Sequence, residues 1–309
     1  MTLSVVALFC DRDVAGIPLF LENIEKSLKG ITHEVILVDN RNNQTQLEIP
    51  NNVKIISYGR NVYLWEGRKL GFMNSKGKYI WFCDMDDKPL PVREDFFKNR
   101  DEDLITFNTF WIENGVKKYC AQPYNIQYTA SDTCFFNRTW QKMIKNAVWN
   151  KFYKRTVLEK VYLNYPMYME IVFTEDMLLN ALNLISVNSI RFSTEYFYEY
   201  NYNTGDSVKE KYTSIEPIER LLTGFDTTIA LMDQIMSKEC QESTGIKVDA
   251  IYYGSFLFMF KKYDICIPEI RADFLKLMKK YFDKDYIFQR IDTVEISEES
   301  KAEIKKLCK

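Results

Sequence analysis

Three aspartates, Asp84, Asp86 and Asp87, lie within four residues, directly after the apolar stretch 79–83. That stretch carries no charge, which is typical of a buried central strand. Residues two apart in an extended chain point to the same side, so Asp84 and Asp86 are expected to project together. Ligands of open α/β sheets bind at this carboxyl edge.

Clustered carboxylates repel one another, and a divalent cation keeps them ionised most easily. Mg²⁺ typically takes one or two carboxylates and completes its shell with phosphate oxygens and water. The three aspartates therefore predict a site that binds a metal ion together with a diphosphate. A solvated acidic turn is the alternative that the residues alone leave open.

A second pair of carboxylates, Glu175 and Asp176, falls in the first turn of a predicted helix whose N-cap is Thr174. The helix dipole favours ionised carboxylates at this place. Such a group is ready to accept a proton, so a general base is one interpretation. The other interpretation is that the two acids only stabilise the helix through its dipole.

Around these residues, short apolar runs alternate with amphipathic segments, which is the pattern of βαβ units and a mostly parallel sheet. Asn114-Gly115 between two strand-like runs predicts a hairpin, and the pattern is helical from residue 214 onward. The predicted strands cover 4–9, 34–38, 53–58 and 79–83, and predicted helices cover about 17–29, 64–75, 138–147, 155–161 and 175–184.

Composition excludes several classes of protein. The 309 residues contain 41 Lys and Arg against 43 Asp and Glu, a net charge of −2, whereas proteins that bind nucleic-acid polymers usually show a strongly basic surface. Gly (11) and Pro (8) are scarce, which disfavours a turn-rich β-sandwich or a disordered chain. Seven cysteines without a C-x-x-C pair indicate reduced thiols and no zinc site. No apolar run is long enough to span a bilayer, so a cytoplasmic protein is expected, with peripheral association at the inner membrane face left open.

Four motifs in order carry a family resemblance. The segments are N-V-Y-L-W-E-G-R-K-L-G at 61–71 continuing to G-K-Y-I-W-F-C-D-M-D-D at 77–87, W-N-K-F-Y-K-R-T-V-L at 149–158, F-T-E-D at 173–176, and the Tyr-rich stretch 196–208. They resemble the motifs of family 2 glycosyltransferases of the GT-A fold, in which N-x-G, A-R-N-x-G and D-x-D-D elements precede a W-N-K segment and an E-D pair. Gly67 and Lys69 stand where the family has Ala and Asn.

The resemblance implies an α/β GT-A catalytic domain over residues 1–208, with a mostly parallel central sheet flanked by helices. Residues 209–309 lie outside it and are expected to form a C-terminal helical region. The implied reaction is inverting transfer of a sugar from a nucleoside-diphosphate donor, most simply a UDP-sugar, to a hydroxyl of a glycan acceptor. No covalent intermediate is expected, and the product would belong to a surface polysaccharide or lipooligosaccharide.

The resemblance also implies roles for individual residues. Asp86 would be the main ligand of Mn²⁺ or Mg²⁺, with Asp84 sharing the metal or lying nearer the ribose. Asp39, after the second strand, would meet the uracil or ribose, and Asp11 occupies the corresponding place after the first strand. Arg68 would pair with the diphosphate or with the aspartates through its planar fork.

On the acceptor side, the resemblance makes Asp176 the general base, with Glu175 beside it, and Trp111 and Trp149 are candidate acceptor contacts. The rival from another class is a catalytically inactive nucleotide-sugar-binding or scaffold module, whose helical tail would form a homodimer or recruit partners. A sugar-1-phosphate nucleotidyltransferase shares the sheet topology, but it requires a Gly-rich, Lys- or Arg-bearing loop after the first strand. Residues 11–16 contain one Gly and no Lys.

Overall fold

A computed structural model describes residues 1–41, 47–120, 126–129, 147–164, 175–202, 211–235 and 248–308. The chain divides into two compact units. The first contains the described residues up to 164 and from 176 to 202, and the second contains Glu175 and the described residues from 211 onward. The helices of the described part include none that is long and apolar enough to cross a membrane.

The first unit is built on one sheet with the strand order β3-β2-β1-β4-β9-β6-β10-β5, to which β7 adds beside β6 and β8 beside β10. The strands are β1 (Leu3–Phe9), β2 (His33–Asp39), β3 (Val53–Ser57), β4 (Tyr79–Asp84), β5 (Lys88–Pro89), β6 (Leu104–Glu113), β7 (Val116–Cys120), β8 (Ile126–Thr129), β9 (Lys151–Lys154) and β10 (Ser189–Asn201). The block β3-β2-β1-β4 is entirely parallel. The predicted mostly parallel sheet flanked by helices is confirmed.

Helices of the first unit are α1 (Ile17–Ser27), α2 (Tyr63–Met73), α3 (Arg155–Asn164) and α4 (Glu175–Ser186), the last of which begins at a residue of the second unit. The second unit contains α5 (Glu216–Ile235), α6 (Val248–Phe260), α7 (Pro268–Tyr281), α8 (Lys284–Arg290) and α9 (Glu298–Cys308). A short 3₁₀ helix, Asp11–Gly16, follows β1. The predicted helix over 138–147 lies almost wholly outside the described residues.

Strand alternation sends the side chains of β1 to two different layers. Val5, Ala7 and Phe9 join a core on one face together with Phe20 and Ile24 of α1. Burial of such apolar side chains contributes about 1.5–3 kcal/mol each, so this layer fixes the position of α1 on the sheet.

The opposite face of β1 packs against α2 at unusually short range. A Cβ atom added to Gly67 would lie 2.3 Å from Leu8 Cδ2, and one added to Gly71 would lie 2.3 Å from Val6 Cγ1. The two glycines are one helical turn apart and therefore share a face of α2. Their missing side chains let the helix lie close to the strand, which brings Arg68 down onto the sheet.

The hairpin predicted at Asn114-Gly115 is confirmed. β6 and β7 pair antiparallel on either side of it, and Asn114 (φ 51°) and Gly115 (φ 74°) both adopt the left-handed conformation. Positive φ at both central residues is what a two-residue hairpin turn matching the twist of its strands requires.

Strand β9 is not among the predicted strands. It lies between β4 and β6 and pairs antiparallel with both. Its sequence, Lys-Phe-Tyr-Lys, has two adjacent aromatic residues between two lysines and shows no alternation over its four positions, so it cannot be distinguished from the helix that follows.

Aromatic packing dominates the interior of the second unit. Phe256 contacts Phe260, Phe282 and Tyr286 with ring centroids 4.7, 5.4 and 5.4 Å apart. Pro268 occupies the first turn of α7, and the Asp283 carboxylate caps α8 by accepting from two backbone amides. These are local helix-start signals.

Gly77, which precedes β4, is expected to tolerate no side chain. An added Cβ would lie 2.5 Å from the backbone nitrogen of Ser4 and 2.7 Å from the carbonyl carbon of Leu3, and backbone atoms of a central strand cannot move aside. Gly77→Ala should lower the free energy of unfolding by about 1–3 kcal/mol, measured by chemical denaturation. Gly254→Ala is the control, since nothing lies within 4 Å of its Cβ position; equal stability of the two variants would contradict the packing argument.

Candidate functional site

The three aspartates occupy a turn, not a continued strand. β4 ends at Asp84, and the Asp87 amide donates to the Asp84 carbonyl at 3.3 Å. Asp84 is half-buried, Asp86 is exposed and Asp87 is only 6% exposed. The expected strand alternation does not extend to Asp86, because β4 ends at Asp84, two residues earlier. We call residues 84–87 the carboxylate turn.

Two hydrogen bonds fasten the carboxylate turn to β10. The Asp84 amide donates to the Tyr198 hydroxyl at 2.9 Å, and the Asn201 amide donates to Asp87 Oδ1 at 2.7 Å. Burial, followed by the neighbouring Asp84 charge, raises the pKa of Asp87 well above its usual range. Asp87 thus points into the protein and holds the turn, while Asp84 and Asp86 remain open to solvent.

Arg68 reaches the carboxylate turn from α2. Its side chain is 6% exposed, and Nη2 lies 3.4 Å from Asp84 Oδ1. The glycines of α2 explain this placement, because they let the helix lie close enough for a buried guanidinium to reach the end of β4. The structure therefore brings together two of the residues singled out in the sequence.

Asp39, at the end of β2, forms a buried ion pair that the sequence analysis missed. Its Oδ2 accepts from Arg41 Nη2 at 2.8 Å, and its Oδ1 accepts from Arg41 Nε at 2.9 Å and from the Arg41 amide at 3.1 Å. Both side chains are about 5% exposed or less, and the Asp39 hydrogen bond raises the pKa of Arg41. An aspartate followed two residues later by an arginine is too common a pattern to reveal such a pair.

Asp11 lies near this ion pair. β1 and β2 are in register from Leu3 and His33 to Phe9 and Asp39, and Asp11 begins the 3₁₀ helix two residues after β1 ends. Asp11 is exposed, and its negative charge also raises the pKa of Arg41. Asp11, Asp39 and Arg41 therefore share the carboxyl edge of the parallel strands.

Asp176 lies in the first turn of α4, as predicted, and its Oδ1 accepts from the Met177 amide at 2.7 Å. It is half-buried, and Glu175 is 5% exposed. The predicted N-cap, Thr174, lies outside the described residues.

The charges of Arg68 and Asp176 both reach one buried tyrosine. The Tyr153 side chain of β9 is fully buried, and desolvation raises the pKa of its hydroxyl well above the usual range. The Arg68 charge lowers that pKa and the Asp176 charge raises it. Both charges therefore affect the pKa of one hydroxyl, which is buried on the face of the sheet that α2 covers.

The candidate metal ligands fit an ion that is shared with a phosphate. Among the residues that the structure describes, no group of three or more His, Cys, Asp or Glu side chains is placed to hold a metal ion. Mg²⁺, however, usually takes only one or two carboxylates where substrate phosphates and water complete its shell. Asp84 and Asp86 supply that number of carboxylates.

The two candidate acceptor tryptophans differ in exposure. Trp149 is 6% exposed and stacks on Tyr198 with ring centroids 5.0 Å apart and planes at 8°. Trp111, on β6 of the hairpin, is half-buried. Of the two, Trp111 presents more of its ring to solvent.

No protein-family model and no curated protein matches this sequence. Solved structures do: S. aureus TarS 1–349 in complex with UDP-GlcNAc matches with a TM-score of 0.56 and 13% identity, over 100% of this chain and 90% of that chain. The same TarS fragment in complex with UDP matches with a TM-score of 0.53 and 16% identity, over 95% and 92% of the two chains. Without ligand it matches with a TM-score of 0.52 and 15% identity, over the same shares. TarS is a glycosyltransferase, and at these identities the likeness shows the fold alone: the chain shares the fold of TarS 1–349.

The Asp39–Arg41 pair should carry measurable stability. Asp39→Asn leaves a buried guanidinium without its carboxylate, which we expect to lower the free energy of unfolding by about 1–3 kcal/mol. Chemical denaturation of Asp39→Asn, Arg41→Gln and the double variant forms a double-mutant cycle. Additive losses would show that the two side chains do not interact, and exposed Asp11→Asn serves as the control for a charge removed at the same edge.

Proposed function

We propose that this protein is a nucleoside-diphosphate-sugar-dependent glycosyltransferase. The observation that carries the proposal is the carboxylate turn with Arg68 beside it, at the carboxyl edge of a sheet whose fold matches TarS, which has been solved with UDP-GlcNAc. The sequence motifs favour assignment to family 2 and an inverting reaction. A UDP-sugar is the donor that both lines of support favour.

The carboxylate turn would hold the diphosphate end of the donor. Asp86, exposed, and Asp84, half-buried, would hold Mn²⁺ or Mg²⁺, and this metal would neutralise charge that develops on the leaving diphosphate. Arg68 lies 3.4 Å from Asp84 and is buried, so it has little conformational freedom to lose when it contacts a phosphate. Asp87 keeps the turn in place through β10.

The nucleoside would lie along the same edge, near Asp11 and Asp39. Because Arg41 already occupies both oxygens of Asp39, Asp39 would contact uracil or ribose through its remaining lone pairs and would orient Arg41. Arg41 is therefore a donor-site candidate in its own right. Its guanidinium also lies 5.5 Å from the centre of the Phe9 ring.

Asp176 would take the proton from the acceptor hydroxyl as that oxygen attacks the sugar carbon in a single displacement. Support comes from its half-buried position in the first turn of α4 and from its charge, which acts on Tyr153 together with that of Arg68. Glu175, the preceding residue, is buried and would help to fix the position of the helix start. The acceptor would be a glycan of a surface polysaccharide or lipooligosaccharide at the inner membrane face, and the helical region would serve membrane association or homodimer formation.

A catalytically inactive nucleotide-sugar-binding or scaffold module is the second candidate. The buried Asp39–Arg41 pair and the fastened carboxylate turn serve binding as well as they serve catalysis. Catalytic turnover of a nucleotide sugar distinguishes the glycosyltransferase from the inactive module.

Asp176→Asn should lower kcat for sugar transfer about 10²- to 10⁴-fold, the usual contribution of a general base, and leave the affinity for UDP unchanged. Release of UDP from UDP-GlcNAc in the presence of candidate acceptors is the measurement. Asp103→Asn, at the opposite end of the sheet, is the control. Retained turnover in Asp176→Asn would refute the assignment of the base.

Asp86→Ala should remove the Mn²⁺-dependent rise in melting temperature that UDP would cause in the unmodified protein, because Asp86 would be the main residue that holds the metal. The exposed Asp95→Ala variant should keep the full shift. A shift that survives in Asp86→Ala would place the metal elsewhere. The absence of any shift with UDP-, GDP- and CMP-sugars in the unmodified protein would overturn the proposed function.

A further inference from the structure

A row of aromatic side chains runs from the carboxylate turn towards the β6–β7 hairpin. The aromatic row consists of Tyr198, Trp149, Tyr200, Trp111 and Tyr202. Trp149 stacks on Tyr198 and Tyr200 at 5.0 and 4.9 Å, with planes at 8° and 15°. Trp111 meets Tyr200 edge-on at 5.5 Å and stacks on Tyr202 at 5.9 Å with planes at 13°.

The aromatic row begins at the candidate donor site and becomes more exposed along its length. Tyr198 is fully buried and accepts the hydrogen bond from the Asp84 amide. Trp149 is 6% exposed, while Trp111, Tyr200 and Tyr202 are half-buried. The inner rings therefore serve as core, and only the outer three can contact a ligand.

Strand pairing holds the outer rings in place. Tyr200 and Trp111 are register partners on β10 and β6, and the Tyr202 amide donates to the Ile112 carbonyl at 3.0 Å. An ordered aromatic surface loses little side-chain freedom when it binds a ligand.

The opposite face of the hairpin carries aromatic side chains too. Phe110 contacts Tyr119 and Tyr196 there at 5.1 and 4.4 Å, and Lys117 Nζ lies 3.8 Å from the centre of the Phe110 ring. Tyr119 is 72% exposed. This cluster of Phe and Tyr rings offers a comparison surface on the other face of the same hairpin.

The chemistry of the outer rings suits a pyranose. The face of an aromatic ring carries partial negative charge, and the C–H bonds on the flat face of a pyranose carry partial positive charge. The Glu113–Lys118 ion pair flanks Trp111, with Lys118 directly opposite it in register, so charged groups are at hand for sugar hydroxyls. A flat ring with polar edges is the kind of ligand that such a surface recognises.

The size of the outer surface indicates how much of a ligand it would hold. The ring centroids of Trp111, Tyr200 and Tyr202 lie 5.5, 5.9 and 6.3 Å apart, which is a surface for a single pyranose ring. The carboxylate turn lies close by, since Asp87 accepts a hydrogen bond from the Asn201 amide, between Tyr200 and Tyr202 in the chain.

We propose that Trp111, Tyr200 and Tyr202 form a subsite that binds one pyranose of an oligosaccharide acceptor. The subsite rests on the proposed function for its role, since only a glycosyltransferase would use it to position an acceptor. Trp111 is the central residue because its ring contacts both tyrosines.

The test is a titration of the protein with chitotetraose, cellotetraose and maltotetraose, each beside its monosaccharide, followed by saturation-transfer NMR and tryptophan fluorescence. At least one tetrasaccharide should bind more tightly than its monosaccharide. Trp111→Ala should weaken that binding at least fivefold, and Trp111→Phe should retain most of it because a flat ring remains. Tyr119→Ala, on the opposite face of the hairpin, should bind as the unmodified protein does.

Binding of no tetrasaccharide by the unmodified protein, or equal binding by Trp111→Ala, would overturn the subsite. The Mn²⁺-dependent stabilisation by UDP, measured in the same variants, verifies folding and separates the two proposals. If UDP stabilises every variant while Trp111→Ala alone loses the sugar, the subsite stands. If UDP stabilises none of them, including the unmodified protein, the proposed function fails whatever the sugars do.

Discussion

The carboxylate turn at the end of β4 depends on one buried carboxylate. Asp87 lies inside the protein and accepts a hydrogen bond from the Asn201 amide of β10. The Tyr198 hydroxyl of the same strand accepts a hydrogen bond from the Asp84 amide. Burying a carboxylate is unfavourable, and it persists where a strong hydrogen bond offsets part of the cost. Here it turns two further carboxylates outward and keeps them at a fixed place on the sheet edge.

The two faces of the sheet contribute differently to this site. On the α1 face the core is apolar and aromatic, and it holds β1 and β4 rigidly side by side. On the α2 face, Gly67 and Gly71 let the helix lie close to β1, and polar groups such as Arg68 and the Tyr153 hydroxyl are buried beneath it. A rigid apolar layer on one side thus supports charged groups on the other.

Strand β10 connects the donor and acceptor sides of the proposed mechanism. Tyr198 and Asn201 fasten the carboxylate turn, and the tyrosines Tyr198 and Tyr200 of the same strand belong to the aromatic row. Because the same strand carries both, the distance between the carboxylate turn and the outer aromatic rings is set by backbone geometry. A glycosyltransferase that adds one unit to an oligosaccharide needs that distance to be fixed.

The sequence by itself determined the elements whose signals are local. Apolar runs placed β1, β2, β3 and β4 within one or two residues, periodicity placed α1, α2 and α4, and Asn114-Gly115 set the hairpin turn through its two positive φ angles. It also singled out the aspartates at the ends of strands, because parallel strands must end at a common edge.

Only the tertiary structure decided which of those aspartates is buried and which is exposed to solvent. The three aspartates within residues 84–87 look equivalent in sequence. Asp87 differs from Asp86 because it accepts a hydrogen bond from the amide of Asn201, 114 residues further along the chain. The Asp39–Arg41 pair, the antiparallel β9 between β4 and β6, and the aromatic row likewise depend on partners that chain folding brings together. Hydrogen bonds and stacking are short-range forces in space but unrestricted along the chain, so no local pattern could reveal them.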